Sequence, residues 1–375
     1  MDFSLGETQQ AVIEAAAGVL GQRQPQPHPQ AQPPAPGDDY DRALWKELGQ
    51  AGLLGLAIPE WFGGGGLGVL DTAVLLTEIG RQAAPVPALA TLMMGVLPVT
   101  RWAGRGILQH LLTGVGAGDV VLTAAVREPS EPMPPKPATT LNVGDGTVSG
   151  VKIGVPYAGA ASRILVPATV PGDGTAIAVV DPSADGVTIT RTPSSAGAPE
   201  YTLRLDEVVA STILGTNRAD NRAVADLYQL TLAGACCLAD GAVAGALALT
   251  TKHVATRQQF GRPLATFQAV AQHIADVSIA SRTLHLAARS SCWRLDTGRE
   301  AGRDLDVAAY WLADQAPEAL RICHHLHGGT GMDVSYPLHR YSALIKDLVR
   351  LVGGADYRLG LLGAGAAGQE APDVP

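Results

Sequence analysis

Thr256-Arg257-Gln258-Gln259-Phe260-Gly261-Arg262-Pro263, followed closely by Phe267-Gln268, ends one long apolar helical run and opens the next. Within a few residues the stretch gathers a cation, a hydroxyl, aromatic rings, a glycine and amide side chains. A guanidinium suits phosphate oxyanions, and an aromatic ring suits a nucleotide base. Taken alone, the same residues also describe a plain helix–helix corner with Gly261 and Pro263 as breakers. The rest of the chain has to decide between these.

The chain has 375 residues, enough for two or three layers around a sizeable core. Acidic residues outnumber basic ones, 35 to 27, with no basic block, so no nucleic-acid partner is expected. Cys236, Cys237, Cys292 and Cys323 lack metal-ligand spacing and read as buried thiols of a reducing cytoplasm. Adjacent Cys236 and Cys237 cannot close an unstrained disulfide within one helix. His324, His325 and His327 beside Cys323 offer only one helical pair, 324 and 327, without third and fourth ligands, so no metal is expected. The N-terminus carries no basic and apolar export pattern. Leu230 to Leu249 is almost wholly apolar, but Asp240 in its middle would cost roughly 2.5–3.5 kcal/mol in a bilayer. That run reads as a helix packed on all sides, and the expectation is a soluble, cytoplasmic protein with no membrane contact.

In chain order, helices are expected at Ser4–Leu20, Tyr40–Ala51 and Leu70–Gln82. Residues 22–39, rich in Pro and Gln, cannot hold a helix and read as an extended surface connector. Pro59-Glu60-Trp61-Phe62-Gly63-Gly64-Gly65-Gly66 lacks the Lys and Ser/Thr of a P-loop and reads as a tight loop before a helix. From about Val120 the period shortens. Strand-like runs at Val120–Val126, Thr140–Lys152 (turning at Gly144-Asp145-Gly146), Ile164–Val166, Ile177–Val180, Val187–Thr190 and Tyr201–Leu205 predict a compact antiparallel barrel or sandwich. Four long helical segments follow, about 219–256, 266–297, 304–327 and 336–350, and predict a four-helix bundle. The fold class is therefore α+β multidomain: a helical unit at 1–118, a β unit at 119–214 and a helical bundle at 215–375.

That order resembles the acyl-CoA dehydrogenase family, over nearly the whole chain. Pro59-Glu60-Trp61-Phe62-Gly63-Gly64 resembles the family's Pro-Glu-X-X-Gly-Gly segment. Arg257–Gly261 with Phe267-Gln268 resembles its flavin-nucleotide motif, and Gly328-Gly329-Thr330-Gly331 with Tyr336-Pro337-Leu338-His339-Arg340 its following segment. The resemblance implies FAD as cofactor, an acyl-CoA substrate desaturated between its α and β carbons, and an electron-transfer flavoprotein as electron acceptor. It also implies that one protomer's Arg257, Gln259, Phe260, Phe267, Gln268, His327, Gly328, Gly329 and Gly331 reach FAD's diphosphate and adenosine end in a neighbouring protomer. The chemistry suits these residues: Arg257 for charge, the glycines for close backbone approach.

The departures carry more. The family's usual catalytic glutamate would fall within Leu351-Val352-Gly353-Gly354-Ala355, at Gly353, and its other known placement at Thr231 or a neighbour. Neither is acidic, and an arginine common beside the second is Leu232 here. In Arg127-Glu128-Pro129-Ser130-Glu131-Pro132 the family's Gly-Ser-Asp is missing, and the Trp and Thr that cover the flavin ring become Gly154 and Pro156. The flavin half-site a protomer builds for itself is eroded, and the half-site it donates is intact. This resembles the base-lacking subunit of bacterial heteromeric α2β2 steroid side-chain acyl-CoA dehydrogenases, and implies a second acyl-CoA dehydrogenase-like subunit as partner. Other readings stay open: a complete homotetramer with a displaced base (Asp356, with Asp333 and Asp347 nearby), a flavin-free scaffold, and a subunit acting on carrier-protein thioesters.

Overall fold

A computed structural model describes residues 5–21, 40–172, 174–216 and 222–367. The Pro/Gln-rich stretch 22–39, and the expected helix starts at Ser4 and Ala219, lie outside the described residues. The N-terminal helices are α1 (Glu7–Leu20), α2 (Arg42–Gln50) and α3 (Val69–Arg81). A π-helical segment, Leu89–Val96, then runs into α4 (Leu97–Trp102), and α5 (Arg105–Leu112) follows. Asp41 starts α2 by accepting a hydrogen bond from Leu44 N at 2.9 Å.

The middle region is one eight-stranded sheet. Its strands are β1 (Leu122–Ala124), β2 (Thr140–Asn142), β3 (Thr147–Pro156), β4 (Arg163–Val170), β5 (Gly174–Val180), β6 (Val187–Thr192), β7 (Glu200–Val209) and β8 (Thr212–Leu214). The hydrogen-bonded order is β6-β7-β3-β2-β4-β5-β8, with β1 beside β4. The expected antiparallel pattern holds except at β4, which meets both β1 and β2 in parallel. The Pro-rich segment between β1 and β2 causes this, because it returns the chain to the same sheet edge without a hairpin. Tyr201, Leu203 and Leu205 turn inward while Arg204 and Asp206 are exposed, as the alternation requires. Strands β4 and β5 read instead as continuous apolar runs because both their faces are covered. Leu165, Ile177 and Val179 join the helical core, and Ile164, Val166, Ala176, Ala178 and Val180 the sheet's own.

The C-terminal region holds α6 (Ala223–Thr256), α7 (Gln268–Asp296), α8 (Gly302–His327) and α9 (Leu338–Val352). The expected four helices become five with α10 (Ala355–Ala367), whose Gly- and Ala-rich sequence gives little apolar periodicity. Between α6 and α7 stand two-residue strands, β9 (Gln258–Gln259) and β10 (Arg262–Pro263). Helix α6 is long and apolar enough to cross a membrane, but it is mostly buried among α3, α7, α8 and α9. Asp240 meets His285 Nδ1 at 2.8 Å, which compensates its burial.

Small residues let α3 and α6 approach backbone to backbone. A Cβ on Gly241 would collide with the Thr77 carbonyl, and one on Gly80 with the Leu238 carbonyl. Gly241→Ala is therefore expected to destabilise the fold by about 1–3 kcal/mol. The check is a urea midpoint that falls with an unchanged slope.

Candidate flavin-nucleotide site and its empty base positions

The motif that opened the sequence forms a two-residue hairpin, not a simple corner. Arg262 pairs with Gln259 and Pro263 with Gln258, so Phe260 and Gly261 occupy the turn. Both have positive φ, 54° and 78°, as primed hairpin turns demand. Glycine adopts this freely, whereas a bulky aromatic does so only under strain. The Phe260 ring is nonetheless 90% exposed, touching Phe267 edge-on at 6.2 Å. The Arg262 guanidinium lies over the Phe267 ring at 4.1 Å. Arg257, Gln259 and Gln268 are exposed beside them. An apolar ring held outward on a strained backbone has no folding rationale within this chain.

Helix α8 ends against the same region. His327 stacks on His253 of α6 at 4.3 Å, and His325 meets His273 of α7 edge-on at 5.5 Å. These contacts bring the Gly328–Met332 turn to the end of the bundle that carries the hairpin. Gly328, at φ 57°, stops α8, its N–H reaching the His324 and His325 carbonyls. Gly328 and Gly329 are exposed with open space beside them, as is Gly261, while Gly331 is buried. His327 is itself buried, Nδ1 against the Cys323 carbonyl at 2.8 Å and Nε2 against Tyr336 Oη at 3.0 Å. It positions the turn, with no ring nitrogen left over. Among the described residues no three His, Cys, Asp or Glu converge as a metal site.

Burial lowers the pKa of His327, as it does for His324 and His253. A histidine held neutral stabilises the fold above its ordinary value of 6.5, and that contribution is lost as pH falls through the lowered folded value. Melting temperature is expected to drop as pH falls below the ordinary histidine value of about 6.5, and His327→Gln should flatten part of that slope.

Both base positions are filled by the chain itself. A Cβ on Gly353, at φ 96°, would sit 2.6 Å from Tyr357 Cδ1 and 2.7 Å from Pro132 Cγ. Thr231 is fully buried, its hydroxyl donating to the Leu227 carbonyl at 2.8 Å. Of the acids near these positions, Asp347 accepts from Ser195 N, Ala196 N and Arg350, each at 2.8 Å. Asp333 is tied to Ser335, and Asp356 is exposed on the first turn of α10. Glu131, overlooked in the sequence, accepts at 3.1 Å from the hydroxyl of Tyr357, whose ring stands against Gly353. Burial pushes the Tyr357 hydroxyl up to about 12, and the bond to Glu131 adds to it. Nothing in the sequence signals this pairing, since the partners are 226 residues apart.

Gly154, where the family has a ring-covering side chain, faces Arg127: a Cβ there would lie 2.8 Å from the guanidinium. Arg127 is largely buried near Glu200 and Arg350, and burial with the Arg350 charge lowers its pKa. Arg350 grips Glu200 through two hydrogen bonds of 2.6 and 2.9 Å. A charge network thus occupies the place of the missing side chain and ties α9 to the sheet.

The fold and the converging motif segments define the class, and sequence comparison agrees: the chain belongs to the acyl-CoA dehydrogenase family. Residues 6–119 match "Acyl-CoA dehydrogenase, N-terminal domain" and residues 230–356 match "Acyl-CoA dehydrogenase, C-terminal domain". Acyl-CoA dehydrogenase FadE28 of Mycobacterium tuberculosis is 46% identical, over 97% of this chain and 98% of that protein. The ChsE4-ChsE5 complex from the same organism superposes with a TM-score of 0.89 at 29% identity, covering 99% of this chain and 100% of the matched one. A glycine-to-alanine variant of the Tcur3481-Tcur3483 steroid ACAD superposes at 0.87 with 33% identity, covering 97% and 100%. The family consists of FAD-dependent oxidoreductases acting on CH–CH groups.

Proposed function

We propose that this chain is the base-lacking subunit of a heteromeric acyl-CoA dehydrogenase, giving the FAD diphosphate and adenosine half-site to a partner subunit that carries the base. The observation carrying this reading is the contrast between its two ends. Arg257, Phe260 and Gln268 are exposed with Phe267 half-buried beside them, while Tyr357 and Pro132 stand where a side chain on Gly353 would go. The exposed end fits the nucleotide part of FAD: an exposed guanidinium at Arg257 for the diphosphate, ring faces for adenine, and open backbone at Gly328 and Gly329. When bound, FAD supplies a hydride acceptor for the β-hydrogen of an acyl thioester. In that scheme Arg257 and the glycine turn hold charge, Phe260 and Phe267 exclude water, and His327 fixes the turn. The α-proton goes to a carboxylate of the partner.

The three units are taken as 1–118, 119–214 and 215–375, acting in the cytoplasm, with an electron-transfer flavoprotein as acceptor. Similarity to a solved steroid ACAD supports a steroid side-chain CoA ester as substrate class. Co-expression with a neighbouring acyl-CoA dehydrogenase gene product tests the reading. Flavin and activity are expected only in the complex; a yellow, active protein made alone would overturn it. The second reading, a complete homomer, is favoured by one observation, the Glu131 carboxylate bonded to the hydroxyl of Tyr357, whose ring stands against Gly353. It requires activity of the isolated chain that Glu131→Gln abolishes.

A further inference from the structure

We propose that Cys237 and Cys292 are a peroxide-oxidisable dithiol that closes to a disulfide between α6 and α7. The two sulfurs lie 3.4 Å apart on facing helices, although 55 residues separate them in the chain. All four cysteines are free and buried.

Burial alone would leave such a pair inert. Here both cysteines also line a cavity of about 190 Å³ between α1, α3, α6 and α7, with Asp240, His285 and Arg289 in its wall. A cavity of that size admits a molecule as small as hydrogen peroxide. Neither Cys236, one residue away on α6, nor Cys323 on α8 lines it. Selectivity among the four thiols therefore follows from geometry. The wall also supplies polar groups for proton handling. The Asp240–His285 pair lies one helical turn from Cys237 on α6; the Cys292 contact, burial and the Asp240 charge raise the Cys237 thiol's pKa, and the Arg289 charge opposes them.

The chemistry balances with a hydroperoxide as oxidant. One sulfur attacks a peroxide oxygen, the O–O bond breaks, and a sulfenic acid forms with release of water. The second sulfur displaces the sulfenic oxygen as a second water, and the S–S bond forms. Two thiols lose two electrons and two protons, and the peroxide is reduced to water. Because the Cys292 contact and burial hold the Cys237 thiol's pKa up, its reaction is slow compared with that of an exposed low-pKa cysteine.

The product would staple α6 to α7 and close the long loop that contains the nucleotide hairpin. Raised melting temperature, on the order of 5 °C, is the expected consequence. The test treats the full-length chain with hydrogen peroxide, denatures it, alkylates free thiols and measures intact and peptide masses. The expected result is loss of two hydrogens, two alkylatable thiols remaining, and a dithiothreitol-reversible link between the peptides carrying Cys237 and Cys292. Cys236→Ala should keep the link and Cys292→Ser should lose it. Four alkylatable thiols after treatment, a link through Cys236 or Cys323, or only sulfinic and sulfonic products would each overturn the proposal. Because Cys236→Ala carries the positive arm, a poorly folding Cys292→Ser still leaves a decisive result.

Discussion

Lys152→Met is expected to destabilise the chain by about 3–5 kcal/mol, the usual cost of stripping one partner from a buried ion pair. Lys152 is fully buried, and its Nζ donates to Glu128 Oε1 at 2.7 Å. The Glu128 carboxylate also accepts from Ala138 N at 2.6 Å, Thr139 N at 2.9 Å and Thr139 Oγ1 at 2.7 Å. Burial alone would raise the Glu128 carboxyl, but the bonds from Lys152 and Thr139 overcome it and hold it below its ordinary value. Burial pulls the Lys152 ammonium down to about 8, with Glu128 opposing. Both groups are therefore charged at neutral pH. Methionine would leave a carboxylate in the protein interior with only neutral donors. The double variant Glu128→Gln, Lys152→Met should recover much of the loss, because no lone charge remains. Urea denaturation of the three variants checks this.

Arg257→Ala should behave in the opposite way, leaving the isolated chain's stability nearly unchanged while emptying the complex of flavin. The side chain is exposed, and substitutions at such sites stay within about 0.5 kcal/mol. A hydrogen bond to a charged group contributes about 1.5–3 kcal/mol, so FAD retention should weaken by roughly 10- to 100-fold. Arg257→Lys should recover only part, since an ammonium lacks the two-pronged geometry that a diphosphate favours. Flavin absorbance of the purified complex, set beside the melting temperature of the isolated chain, separates the two quantities.

The helical–sheet–helical order was legible because period and punctuation change sharply near Val120 and again near Ala219. Long apolar runs placed α6 through α9 within a few residues. Helix α10 was not legible: its glycines and alanines carry no amphipathic stripe, and it is docked by Arg358, bonded to the Val352 carbonyl at 2.6 Å and Asp306 at 3.0 Å, and by Tyr357, bonded to Glu131 and the Pro132 carbonyl. The candidate nucleotide residues could be named from the motif, but their shape could not. Phe260-Gly261 is a poor hairpin signal beside Asn-Gly or Asp-Gly, so a corner was the natural reading. The empty base positions were visible as Gly353 and Thr231. That Pro132 reaches this space, and that Glu131 bonds the Tyr357 beside it, depends on contacts across more than 200 residues, which no local pattern encodes. The Cys237–Cys292 contact is of the same kind: the sequence draws attention to the adjacent Cys236, and the fold chooses the cysteine on the facing helix.

The FAD content of the purified two-subunit complex tests the account most directly. A chain that donates a nucleotide half-site but has closed its own ring and base positions predicts one FAD for every two chains, with none on this chain alone. One FAD on every chain, or a flavin-loaded active homomer, would contradict it.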